Sequence, residues 1–156
     1  MTITAWRITQ ATRISRAFDG EGARLHGGRW NSVGTPVVYL AENAALAVLE
    51  MLVHIEFVAA MDMYVLIPVA FDSRLVHTLQ KRSIPRDWST SPSPPTTQAI
   101  GDRWVTKGED LLLSVPSALV PTERNYLLNP KHADFAKLQI GTPQRFKFDP
   151  RFFTKP

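Results

Sequence analysis

Arg29, Tyr39 and Glu50 are the side chains of this sequence best suited to chemistry, and they fall within one stretch. It runs from Gly27 to His54 and reads GGRWNSVGTPVVYLAENAALAVLEMLVH. Gly27-Gly28 makes a flexible turn, after which Arg29-Trp30-Asn31 sets a cation, an indole and an amide side by side. A guanidinium after a glycine pair can grip a phosphate bidentately, because glycine lets the backbone come close. The alternative is a solvated loop arginine. Tyr39 either fills a strand core or stacks its ring on a flat heterocycle. Glu50 is the one carboxylate of an otherwise apolar helical run. It is either a helix-surface group or a carboxylate bordering a cleft, where it could stabilise an oxocarbenium-like sugar cation. Together these groups suit an anionic, ring-containing ligand, and the reading is a small enzyme acting on a dinucleotide. Arg7 and Ser117 are further candidates. Taken alone, Ser117 after Pro116 reads as a turn-forming serine.

Other chemistries are poorly supported. The histidines His26, His54, His77 and His132 form no HxH or HExxH pair. Glu50 and His54 are i,i+4 neighbours, but two ligands fall short of the set a metal needs. No GxSxG elbow is present, and Gly20-Glu21-Gly22 lacks the third glycine of a dinucleotide fingerprint, with Leu25 in its place. No P-loop occurs. No metal site and no cofactor are therefore expected.

Positioning these groups falls to a short set of elements. Trp6 and Ile8 alternate around Arg7 as the start of a strand. Thr12 to Gly34, rich in Gly and Arg, reads as a loop with little regular structure. Pro36–Leu40 is a strand, and Glu42 or Asn43 opens the helix that follows, with Asn43 a plausible cap. Ala45, Leu46, Leu49, Leu52, Val53 and Glu56 make its predicted stripe, with Glu50 at the margin. Met63–Phe71 is the clearest strand, which Pro68 assigns to an edge or a bulge. Trp88 to Thr97 (WSTSPSPPTT) reads as a surface loop without core potential. Ala99–Lys107 is a short helical turn. Leu111–Val115 and Phe146–Asp149 are strands, and Glu123–Pro130 is a turn or bulged strand stopped by Asn129-Pro130. Strand, helix, then several strands without βαβ regularity predicts an α+β domain with mixed sheets and flanking helices.

The chain has 156 residues, 44% of them hydrophobic, which suits a single domain, 1–156. No cysteine occurs, so disulfides and thiol nucleophiles are excluded. The start, MTITAWRITQATR, lacks the pattern of a signal peptide, and no apolar run approaches the roughly 18 residues of a membrane span. A cytoplasmic protein is expected. The net charge of +4 with a pI near 9.7 fits either plain solubility or attraction of an anion. The cations are scattered rather than clustered, which argues against a nucleic-acid surface.

The sequence resembles the RES-domain family, toxins of RES–Xre toxin–antitoxin modules. The matching text is Trp6-Arg7-Ile8, Gly22-Ala23, GGRWNSVGTPVVYLAENAALAVLE, Val115–Ser117, ERNYLLNPKHADF and FKFDPRFF. The resemblance implies an ADP-ribosyltransferase-like fold around an NAD cleft. It also implies a toxin that depletes NAD by cleaving the nicotinamide–ribose bond, with NAD as substrate rather than cofactor. Arg29, Glu50 and Ser117 match the family arginine, glutamate and serine, with Ser114 close enough to compete for the serine. Arg7 and Tyr39 match positions placed in the same pocket. On that basis Arg7 and Arg29 would hold the pyrophosphate, Tyr39 would stack near nicotinamide, and Ser117 would hydrogen-bond the ligand. The implied partner is an Xre-type antitoxin, with a homodimer and a larger toxin–antitoxin oligomer possible and DNA reached only through the antitoxin. Alternative readings are a protein ADP-ribosyltransferase, a basic nucleic-acid-binding module and an inert structural domain.

Overall fold

A computed structural model describes residues 1–154. The sheet starts with β1 (Thr2–Gln10), where Ala5 and Ile8 are buried. A 3-10 segment (Ala11–Arg16) and the short helix α1 (Glu21–His26) follow, so the Gly/Arg-rich region carries more regular structure than expected. β2 (Val38–Ala41) and α2 (Ala44–Leu52) come next, then a single turn, α3 (Phe57–Ala60). β3 (Tyr64–Asp72) pairs antiparallel with β1 along its whole length, from Thr2↔Asp72 to Gln10↔Tyr64. β4 (Val76–Thr78), α4 (Pro95–Lys107), β5 (Leu112–Pro116), β6 (Arg124–Leu128), β7 (Gln139–Ile140) and β8 (Gln144–Phe146) complete the order.

The eight strands form one sheet in the order β4-β5-β6-β2-β1-β3-β7, with β8 also on β3. Among the described residues only β4 and β5 run parallel, so the sheet is mixed, as the sequence predicts. β3 is not an edge strand. Its outer side is divided: Tyr64–Leu66 pair with β8, and Val69–Ala70 pair with β7. Pro68, which has no N–H to give, stands in the gap between those two partners. Gly141 N donates to its free carbonyl at 2.8 Å.

Period-two alternation sends the strand side chains to two faces. Ala5, Val38, Leu40, Val69, Phe71, Leu112, Tyr126 and Leu128 fill one core. On the other face, Leu113, Val115 and Leu127 pack with Trp30 and Trp104, while Ile8, Ala41 and Tyr64 pack under α2. Asn43 caps α2 as predicted, its side chain accepting from Leu46 N at 2.8 Å. Such a cap contributes about 1 kcal/mol.

The buried face of α2 differs from the predicted stripe. Leu46 and Ala47 are covered, whereas Ala45, Leu49 and Val53 are exposed. The helix is apolar nearly all round, so its period offers little contrast to read. The true inward face includes Glu50, one turn after Leu46.

Candidate active site

Glu50 is held from β6 and from the residue just after β5. Its Oε1 accepts from Ser117 Oγ and from Asn125 Nδ2, each at 2.7 Å. Ser117 follows β5, is fully buried, and accepts at its own Oγ from Leu119 N and Val120 N, both 3.1 Å. Two backbone donors occupy its lone pairs, so its proton is directed to the carboxylate. Asn125 belongs to β6, opposite Ala41 on β2 and Val115 on β5. Glu50 Oε2 has no protein partner among the described residues, and it is not among their buried unpartnered atoms. One carboxylate oxygen is thus anchored and the other faces open space.

Arg29 and Tyr39 are placed by the loop between α1 and β2. Arg29 Nη1 donates to Trp88 O at 2.7 Å and Thr90 O at 2.8 Å. A guanidinium has five N–H donors, so three remain for an anion. Trp30 is 2% exposed and stacks on Trp88, ring centroids 6.2 Å apart. The Pro/Ser segment read as free surface is therefore docked, with Pro94 and Thr97 buried as well. Tyr39 Oη donates to Asn31 Oδ1 at 2.7 Å and accepts from Trp30 N at 3.2 Å. Burial is the main reason its hydroxyl titrates far above the usual phenol range, so it stays a donor. The charges of Asp102, Arg29 and Glu50 all reach this phenol, which places the three candidate groups in one electrostatic neighbourhood.

Asn31 is the fixed point of that loop. It is fully buried, and its Nδ2 donates to Ala23 O at 2.8 Å and Thr35 O at 3.1 Å. From α4, Asp102 accepts from Ser32 N at 3.0 Å and from the Ser32 hydroxyl, and Gln98 Nε2 donates to Gly28 O at 3.0 Å. Clearances are small. A Cβ on Gly28 would stand 2.7 Å from Tyr39 Oη, and one on Gly101 would stand 1.7 Å from Trp30 O.

The model of the RES domain matches residues 4–149 of this chain. The chain belongs to the RES domain family. A relative from Yersinia enterocolitica named "Toxin Res" is 40% identical over 147 residues, spanning 94% of this chain and 97% of its own. A Sphingobium relative named "Prs ADP-ribosylating toxin" is 32% identical and covered at 99% on both sides. The crystal structure of the M. tuberculosis MbcT–MbcA toxin–antitoxin complex contains a chain with the same fold. Its TM-score is 0.77 at 21% identity, over 94% of this chain and 85% of that one. The α+β architecture expected from the sequence, a mixed sheet with flanking helices, is the one found.

Within this RES domain the two serines separate cleanly. Ser117 reaches Glu50, whereas Ser114 Oγ accepts from Arg124 Nε at 2.6 Å. Arg7 is a correction. Trp6 and Ile8 face α2, so Arg7 leaves β1 on the opposite side, where Nε donates to Ala17 O at 3.0 Å. One terminal nitrogen reaches Tyr39 O at 3.5 Å. Desolvation pulls the guanidinium down to about 10, partly offset by Asp19, and it remains a cation at neutral pH. Arg7 braces the backbone beneath Tyr39 instead of joining Glu50.

Among the described residues no three His, Asp or Glu side chains gather as a metal site, and no helix is long and apolar enough to cross a membrane. A concavity of about 550 Å³ lies elsewhere, lined by Phe71, Leu75, Arg74 and Lys137. Its cations are already paired, Arg74 with Asp72 and Lys137 with Asp134, so it offers little to an anion. Asn125 is the site residue that sequence reasoning missed; the signal was an amide inside a strand, where asparagine is depleted.

Proposed function

We propose that this RES domain protein is the toxin of a toxin–antitoxin module and that it breaks the nicotinamide–ribose bond of NAD. The observation that carries this reading is Glu50, with Oε1 held by Ser117 and Asn125 and Oε2 open. When the bond to C1′ breaks, its electron pair leaves with nicotinamide, which departs neutral. The positive charge that develops on the ribose is stabilised by a fixed carboxylate placed beside it, with no reorganisation needed. The three free N–H groups of Arg29 suit the pyrophosphate, and the ring of Tyr39 suits the nicotinamide end. Arg7 supports β2 instead of binding substrate. Ser117 acts through Glu50.

The cation is completed by water, which gives ADP-ribose and releases a proton, or by inorganic phosphate. A protein side chain as acceptor is the second reading. It is favoured by the Sphingobium relative, whose printed name is an ADP-ribosylating toxin. An antitoxin partner is supported by the fold shared with the toxin–antitoxin complex. Its Xre type, a homodimer, a larger assembly and a cytoplasmic location rest on the resemblance. NAD serves as substrate, and no cofactor or metal is invoked.

The test is NAD consumption by purified protein, with and without inorganic phosphate, beside Glu50→Gln. Glutamine keeps an acceptor for both donors, so the fold is retained while turnover falls on the order of 10²- to 10³-fold. A fully active Glu50→Gln protein sinks the assignment. Phosphate dependence separates phosphorolysis from hydrolysis, and labelled NAD in lysate reveals any protein acceptor.

A further inference from the structure

Glu50 does not hold its own orientation, and one of its two holders is in an unfavourable position. Ionised carboxylates only accept, so the Asn125 amide must present Nδ2 to Glu50 Oε1, at 2.7 Å. That choice turns Asn125 Oδ1 the other way, where it is buried and has no hydrogen-bond partner. A buried acceptor without a donor costs free energy, and native proteins keep very few. Flipping the amide would set oxygen against carboxylate and lose the Glu50 contact. Ser117 has no such conflict, because its hydroxyl is satisfied on both sides.

We infer that Asn125 is a positioning residue for the Glu50 carboxylate, retained in the sheet for the reaction and at the expense of stability. It acts through Glu50 and touches no reacting atom in this assignment. Two donors on Oε1 leave only Oε2 to face the substrate, whereas one donor lets the carboxylate rotate about its own axis. Neighbouring positions on the same face, Leu113, Val115 and Leu127, are apolar and buried, so a leucine at 125 suits its surroundings.

The inference deepens the NAD reading and rests on it for its kinetic arm. Asn125→Leu removes the unpartnered oxygen together with the donor to Glu50. Its melting temperature is expected to equal or exceed that of wild type, while kcat for NAD falls tenfold or more and KM changes by less than about threefold, on the usual division between binding and transition-state effects. Asn125→Asp is nearly isosteric and sets a second carboxylate against Glu50. Like charges raise the value at which the pair gives up its last proton, so the rising limb of the pH–rate profile moves to higher pH. A residue that merely supports the fold would lower stability and rate together and leave the pH profile in place. Asn125→Leu with wild-type kcat, or melting well below wild type, overturns the inference, as does Asn125→Asp with an unmoved pH limb. The melting arm stands apart from the NAD reading. A wild type inert on NAD overturns that reading and the kinetic claim together, whereas an active wild type with a destabilised Asn125→Leu overturns this inference alone.

Discussion

The two ends of the candidate site are built from different materials. At the Glu50 end, side chains from α2, β6 and the residues after β5 hold one another through hydrogen bonds of 2.7 Å. At the Arg29 end backbone takes the larger part: the carbonyls of Trp88 and Thr90 hold Arg29, and Tyr39 is held by the Trp30 amide together with the Asn31 side chain. Side-chain partners can be exchanged one atom at a time. Backbone partners move only when a loop moves, so the Arg29 end responds to steric change and the Glu50 end to chemical change.

The largest effect should come from Gly101→Ala. The new methyl would overlap Trp30 O at 1.7 Å, so α4 and the Arg29 loop must part. Overpacking of this kind costs about 1–3 kcal/mol or more, read as a lower melting temperature, with NAD consumption lost in the same variant. Preserved stability would show that the Arg29 end yields more easily than its packing suggests. Gly28→Ala is gentler, because its Cβ meets a side-chain hydroxyl, Tyr39 Oη, at 2.7 Å. Activity should fall roughly tenfold with a modest stability loss, about the value of the displaced hydrogen bond. Unchanged kinetics would detach the Tyr39 hydroxyl from the site.

At the other end, Ser117→Ala deletes one donor to Glu50 and leaves Leu119 N and Val120 N without their acceptor. A loss of about 1–3 kcal/mol in unfolding free energy and a rate reduced about tenfold are expected. Ser114→Ala should leave the rate nearly intact, since that hydroxyl serves Arg124. The smallest effect concerns Glu42, which sits beside this end and accepts from Arg124 N at 2.6 Å. Burial, and then the neighbouring Glu123, raises its carboxyl above the ordinary 4.5. A raised acid favours the folded state while protonated, so that contribution is full below about the ordinary value and fades as pH climbs through the folded one. Glu42→Gln should flatten this part of the stability–pH curve, measured by melting across mildly acidic pH.

The sequence carried the elements better than their contacts. The Asn43 cap and the strands around Trp6, Tyr39 and Val69 were legible because capping and alternation are local. The inward face of α2 was not, since Leu49 and Val53 are as apolar as Leu46 and still face solvent. Nor was the docking of Trp88–Thr90, because carbonyl acceptors are the same in every residue and leave no mark in the sequence. Arg7 was placed in the pocket by its motif, yet its parity in β1 sends it to the other side of the sheet. Ser114 and Ser117 lie three apart, and only the end of β5 decides which one meets Glu50.

The anchors of Glu50 also have a place in time. Ser117 and Asn125 stand 67 and 75 residues further along the chain. A ribosome releases α2 well before β5 and β6, so a growing chain carries its glutamate without either hydrogen bond that aims it until those strands follow. The long β1–β3 ladder can form within the first 72 residues, but the oriented carboxylate is assembled only after β6 joins β2. Cells translating this protein are therefore exposed to a correctly set Glu50 only from chains that extend past β6, and abandoned fragments ending before Ser117 lack both of its anchors.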